Sequence, residues 1–157
     1  MNVLEFLKQD HQEAMSMMGL IENANTGGQQ VKMDLFNQLK GALTLHTRME
    51  EQIFYPELEN HQETRDLIRE AYSEHQEVDE LLAEISALSP TSGDFSDKFT
   101  ELKDSVEHHV DEEENQLFPK VRQIIDQEKL NEMGRRMMEM KQGMRQSKSV
   151  TANTKRK

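Results

Sequence analysis

Apolar residues recur along the chain at spacings of three and four, and no stretch alternates as a half-buried strand would. The first stripe runs Leu4, Leu7, His11, Met15, Met18, Ile21, and the second Leu35, Leu39, Ala42, His46, Glu50, Ile53. The third reads Ile68, Ala71, His75, Val78, Leu82, Ile85, and the fourth Phe99, Leu102, Val106, His109, Glu113, Gln116. Each is one face of a 3.6-residue helix. Breaks fall at Asn25-Thr26-Gly27-Gly28 and at Ser89-Pro90-Thr91-Ser92-Gly93-Asp94, while Asn2 with Glu5 and Asn60 with Glu63 have the spacing of capping boxes. The pattern predicts four long helices over 2–23, 32–59, 61–88 and 94–125 and a shorter fifth over 127–144. Short connections make sequence neighbours antiparallel. The expected fold is therefore all-α: an up-down-up-down four-helix bundle at 1–126, a C-terminal helix at 127–144 and a flexible basic tail at 145–157.

The pattern also repeats. His11-Gln12-Glu13 returns as His75-Gln76-Glu77, and His46, Glu50, Phe54 and Pro56 return 63 residues later as His109, Glu113, Leu117 and Pro119. Two helix pairs of one design, related by a pseudo-twofold axis, account for this most simply. A period this long, occurring only twice, is not that of a solenoid. Pro56 and Pro119 fall inside helical pattern, so a kink is expected at each.

Every one of the four stripes is interrupted by a histidine, and two of them carry a carboxylate one turn further on. Burying an unpaired polar group costs about 1–3 kcal/mol, and an isolated carboxylate far more. Four imidazoles and two carboxylates aimed at one axis therefore need a common partner. A metal supplies it: His and Glu at i and i+4 share a helix face and reach one ion or adjacent ions. Six ligands exceed what one zinc ordinarily takes, so two ions sharing two bridging carboxylates fit better.

Composition narrows the chemistry. The 157 residues include no cysteine, which excludes disulfides, thiolate metal sites and iron–sulfur clusters, and leaves nitrogen and oxygen donors suited to iron, manganese or zinc. Residues 1–140 carry 13 Lys+Arg against 30 Asp+Glu, a net charge of −17, and residues 141–157 carry +6. So acidic a body repels phosphate backbones, and no nucleic-acid partner is expected. No run of about 18 apolar residues is present, so no membrane span is expected. The first residues, Met1 to Glu5, have neither a basic start nor an apolar stretch, and a cytoplasmic location is expected. No histidine has Glu three positions before it, H-E-x-x-H is missing, and there is no phosphate-binding G-x-x-x-x-G-K-[ST] loop.

Asp10-His11, His46-x-x-x-Glu50 with Phe54-Tyr55-Pro56, His75, and His109-x-x-x-Glu113 with Leu117-Phe118-Pro119 resemble the hemerythrin-like family of HHE cation-binding domains. The resemblance covers about residues 3–125. It implies a non-haem centre of two iron ions joined by an oxo or hydroxo bridge, able to bind or react with O2, peroxide or nitric oxide. On that reading His11, His46, His75 and His109 are terminal ligands, and Glu50 and Glu113 bridge the irons. Oxygen-carrying members have a further histidine four positions along the third helix. Here Asp79 stands at that position, as a possible seventh ligand, a partner for an imidazole N–H or a solvated charge. The difference favours redox chemistry or sensing over reversible oxygen carriage. Members that repair iron–sulfur clusters carry a cysteine-bearing N-terminal segment, which this chain does not match.

Other positions are read more plainly. His108 lies about 100° round the helix from His109 and is expected at the surface or behind the ligands. His61 falls in a connection, and Glu51, Glu112 and Glu114 are expected on the solvated face. Tyr55 and Tyr72 are open between packing and a hydrogen bond into the pocket. Leu130, Met133, Met137, Met140 and Met144 form a stripe on the fifth helix that suits core packing or a second copy. The function expected is that of a di-iron protein handling a small diatomic or peroxide ligand in oxidative or nitrosative stress or iron homeostasis, as a monomer or weak homodimer. Alternatives are a catalase-like enzyme degrading peroxide and a metal-dependent sensor or partner-binding bundle.

Overall fold

The structure, a computed structural model, describes the backbone of residues 1–24 and 28–155 and the side chains of 1–24 and 28–144. Among the described residues every regular element is helical: α1 (Val3–Glu22), α2 (Gly28–Met49), α3 (Tyr55–Glu59), α4 (Arg65–Ser86), α5 (Gly93–Glu112), α6 (Phe118–Ile124) and α7 (Gln127–Lys155). α1 packs on α2 and α4 on α5, giving the four-helix bundle, and α7 lies along α1. The first predicted break, Asn25-Thr26-Gly27-Gly28, lies mostly outside the described residues; Gly28 opens α2 with φ at 81°, a backbone conformation that favours glycine.

The N-terminal cap behaves as its sequence implies. Asn2 Oδ1 accepts from the Glu5 backbone N–H at 2.9 Å while its amide reaches the Glu5 carboxylate. The second predicted capping box does not form. Asn60 closes α3, donating to Pro56 O, and α4 starts at Arg65 behind a buried Thr64 whose hydroxyl donates to Leu58 O. The fifth helix is longer than predicted: α7 continues through Lys155, because no proline or other stop signal intervenes after Met144, and only 156–157 of the expected tail lie outside the described backbone.

The two long helices are each interrupted at the same repeat position. Glu50–Phe54 and Glu113–Leu117 are π-helical turns, 63 residues apart, each followed at once by Tyr55-Pro56 or Phe118-Pro119. A proline removes an N–H and crowds the carbonyl four residues back. The widened turn absorbs both effects, so the expected kink takes the form of a π turn. It also shifts the register by one residue: Leu117 is buried where Gln116 had been expected, and Gln116 is exposed. In α2 the inward face is Phe36, Leu39, Leu43 and His46, with Ala42 exposed.

The core is split in two. One cluster, around Leu4, Leu7, Phe54, Tyr55, Ile68 and Phe118, also receives Leu130, Met133 and Met137 of α7. The other, around Met18, Phe36, Leu39, Leu82, Phe95 and Phe99, fills the opposite end. Between them lies a polar layer. The methionine stripe of α7 is thus used within the chain, and Gly134 lets it come close: a Cβ there would meet the Met1 carbonyl oxygen at 2.5 Å.

Candidate metal centre

The buried polar and charged residues among those described are His11, His46, Glu50, Thr64, His75, His109 and Glu113. All but Thr64 belong to the set picked out by the interrupted stripes. α1, α2, α4 and α5 each contribute one histidine, and the two carboxylates open the two π turns.

All four imidazoles are oriented alike. Nε2 points inward: His11 Nε2 lies 3.1 Å from Glu113 Oε1, His46 Nε2 3.1 Å and His75 Nε2 3.0 Å from Glu50 Oε1, and His109 Nε2 3.1 Å from Glu113 Oε2. Nδ1 points outward to a second carboxylate: Glu114 at 2.6 Å for His11, Asp10 at 2.6 Å for His46, Glu51 at 2.8 Å for His75, and Glu74 at 2.8 Å for His109. A carboxylate accepting from Nδ1–H fixes the tautomer and leaves the Nε2 lone pair free for a cation. Glu51 and Glu114, expected on the solvated face, instead aim these rings. Glu74 went unrecognised as a site residue and Asp10 had no assigned role. The repeat itself held the signal, since Asp10 and Glu74 each precede an inward histidine and Glu51 and Glu114 each follow an inward carboxylate.

Tyr55 and Phe118 occupy equivalent places after the π turns. Tyr55 lies against the His75 ring with centroids 5.3 Å apart, and Phe118 against His11 at 6.4 Å. Only Tyr55 brings a hydroxyl, which donates to Glu113 Oε2 at 2.6 Å and lies 3.3 Å from His75 Nε2. Tyr72 packs edge-on against Tyr55 rather than entering the site.

Charge pairing shapes the ionisation of the metal-free site. Burial raises the cost of an ionised Glu50, yet His46 and its other hydrogen-bonding neighbours outweigh this and hold its pKa well below the usual carboxylate range. Burial opposes a charged His46, but Glu50 and Asp10 raise its pKa to about 10. His109 is likewise raised against burial, by Glu113, Glu50 and Glu74. Burial, reinforced by Glu113 and Glu50, lifts Tyr55 well above its ordinary value, which keeps the hydroxyl a donor.

These pairings leave the layer incompletely satisfied. His11 Nε2, His46 Nε2, His109 Nε2, Glu50 Oε2 and Glu113 Oε1 are buried without a hydrogen-bond partner, despite their proximity. Each such atom costs about 1–3 kcal/mol, and all five, once the imidazoles release their Nε2 protons, are electron-pair donors gathered in one layer. His11, His46, Glu50 and Glu113 each place a ligand atom within 4.8 Å of the others, and so do Glu50, His75 and His109. Glu50 belongs to both groups. This donor set fits metal binding.

Asp79 is not brought in. It is exposed on α4, and Val78 takes the inward position beside His75. His108 is exposed, with Nε2 3.4 Å from Glu74 and 3.2 Å from Glu112, in a surface group that also includes Glu70. Burial and the adjacent Glu74 and Glu70 push Glu112 up to about 7. His61 lies in the connection before α4. On the side away from Tyr55 and Phe118, a cavity of about 30 Å³ adjoins all four imidazoles, with Asp10 and Thr47 at its wall beside the apolar Ala14, Leu43, Val78, Val106 and Val110. That is room for one small molecule.

Comparison with known proteins agrees with this geometry. The family model described as the hemerythrin HHE cation binding domain matches residues 2–121. The chain is 30% identical over 128 residues, 82% of its length, to a protein from Nostoc sp. named DNA nickase, of which the match covers 36%. It is 27% identical over 121 residues, 76% of its length, to an uncharacterized hemerythrin-like protein of Schizosaccharomyces pombe, covering 59% of that protein. The chain therefore spans less than two thirds of these relatives. The crystal structure of a hemerythrin HHE cation binding domain-containing protein from Mycobacterium kansasii matches with a TM-score of 0.79 and 28% identity, over 90% of this chain and 86% of that one.

Proposed function

The chain belongs to the hemerythrin HHE cation-binding family, and from that premise we propose that it is a non-haem di-iron protein that binds or reacts with dioxygen, peroxide or nitric oxide. Its place would be in oxidative or nitrosative stress or iron homeostasis. The observation that carries the reading is a layer of six buried residues forming two ligand groups that share Glu50, five of these residues holding a donor atom without a hydrogen-bond partner. His11, His46, Glu50 and Glu113 would hold one ion and His75, His109 and Glu50 the other, with Glu113 also spanning from His11 to His109. Bound iron supplies an exchangeable position and electrons for small-molecule chemistry.

The chain's own residues do the rest. Asp10, Glu51, Glu74 and Glu114 orient the imidazoles, and Tyr55 holds Glu113. The cavity beside the imidazoles admits something of about water size, and its largely apolar wall of Ala14, Leu43, Val78, Val106 and Val110, broken by Asp10 and Thr47, suits a small diatomic. Asp79 is exposed and outside the layer, so its role is that of a solvated charge. Nicking, named for the Nostoc relative, is not carried over: the acidic charge of residues 1–140 opposes a phosphate backbone. Among the described residues no helix is long and apolar enough to cross a membrane.

Metal analysis after iron(II) loading tests the proposal, with wild type beside Glu50→Ala and His109→Ala. About two irons per wild-type chain, most of it lost in both variants, is expected. Folded wild type without iron, or unchanged content in both variants, overturns the assignment.

A further inference from the structure

We propose that Lys141 of α7 is a positioning residue for the metal centre, acting through Asp10 on His46 so that metal retention depends on how α7 is seated. The inference rests on the metal-site reading above.

Asp10 uses both carboxylate oxygens. Oδ2 accepts from His46 Nδ1 at 2.6 Å, and Oδ1 accepts from Lys141 Nζ at 2.7 Å. The ammonium is itself held from two other directions: it donates to Glu13 Oε2 at 3.0 Å and stands over the Phe6 ring, 5.6 Å from its centroid. The Lys141 side chain is only 17% exposed. A lysine this constrained fixes the orientation of the carboxylate it grips, and the carboxylate in turn fixes the imidazole.

The delivery of Lys141 is built into α7. Leu130, Met133, Met137 and Lys141 lie at spacings of three and four, so they share one helix face, and the first three are buried in the core cluster beside α1. Gly134 adds a backbone contact that admits no larger residue: a Cβ would come within 2.5–2.9 Å of main-chain atoms of Met1, Asn2 and Val3. Apolar burial and this close approach set the register of α7, and the register places Lys141 on Asp10.

Among the described residues the other half of the centre has no such lysine. Glu74 does for His109 what Asp10 does for His46, but its described neighbours are His108 at 3.4 Å and the carboxylate of Glu112. α7 lies beyond residues 2–121, the part matched by the family model.

Iron(II)-loaded wild type, Lys141→Met, Lys141→Arg and Arg135→Met are challenged with excess bipyridyl while absorption is recorded. Arg135 is the control, because its ion pair with Glu139 stays within α7. Lys141→Met is expected to release iron about tenfold faster, the lower end for loss of a group behind a ligand, and, in air-oxidised protein before chelator is added, to shift the near-ultraviolet charge-transfer band expected of oxo-bridged iron. Lys141→Arg restores both, and Arg135→Met matches wild type. Wild-type release and spectrum in Lys141→Met overturn the inference and leave the metal site standing. Wild type that takes up no iron overturns the proposed function, and this inference with it.

Discussion

The two halves of the centre are alike where they face inward and different where they meet the rest of the molecule. Inside, each half supplies two histidines, one carboxylate opening a π turn, and two outer carboxylates that accept from Nδ1. Outside, the first half has Tyr55 where the second has Phe118, and Asp10 backed by Lys141 where the second has Glu74 beside His108 and Glu112. The repeated design therefore supplies the donor layer, whereas the Tyr55/Phe118 difference and the packing of α7 on one side make its two sides unequal. The inward layer is alike because each buried donor needs a partner there, whereas the groups behind it meet different surroundings.

The largest expected effect tests the shared interior. In the metal-free protein, protonated histidines stand in for the cation between the two carboxylates. His46 is raised from its ordinary 6.5 to about 10, and His109 is raised as well, so their stabilisation is complete below pH 6.5. For His46 it is lost as pH climbs toward 10, where the imidazole turns neutral beside a charged Glu50, and His109 adds a loss of the same sign. Each pH unit of the His46 window costs up to about 1.4 kcal/mol. Denaturant midpoints of metal-free protein from pH 6 to 10 measure this; a flat profile contradicts it. The metal-loaded protein should be flatter.

Next comes the outer carboxylate of each half. Asp10→Ala and Glu74→Ala should each weaken iron binding by about 10–100-fold, read by chelator competition. Similar losses mean that the halves remain equivalent at this depth; a loss confined to one variant breaks the symmetry there.

The smallest effect concerns the aromatic pair. Tyr55→Phe makes the halves alike by removing a buried hydrogen bond to a charged carboxylate, and should cost about 1.5 kcal/mol in chemical denaturation of the metal-free protein. By the repeat that relates Phe118 to Tyr55 and Glu50 to Glu113, Phe118→Tyr is expected to offer a hydroxyl to Glu50, whose Oε2 has no hydrogen-bond partner. In the Tyr55→Phe background it should recover part of that loss; no recovery shows that the aromatic positions are not interchangeable.

Much of this was readable from residue order alone. Histidines and glutamates recurring inside apolar stripes locate the helices and identify all six inward polar residues, because helical periodicity ties sequence spacing to direction. The same periodicity misplaced Gln116 and Ala42, since a stripe counted in threes and fours has no place for an extra residue in a turn and two candidate faces of α2 differ by one position. It misread Glu51 and Glu114 as solvated, although a charge beside a ligand can equally turn back to the ligand's far nitrogen.

Spacing along the chain determined the helices and the inward polar residues of each, because these depend on residues within a few turns of one another, and comparison of the two halves showed the duplicated design. Only the tertiary structure decided which carboxylate accepts from which imidazole, that Tyr55 reaches Glu113 from 58 residues away, and that Lys141 meets Asp10 across 131. Those contacts follow from how helices lie side by side, and that arrangement is set by the packing of whole faces together, including the near-contact of Gly134 with the start of the chain.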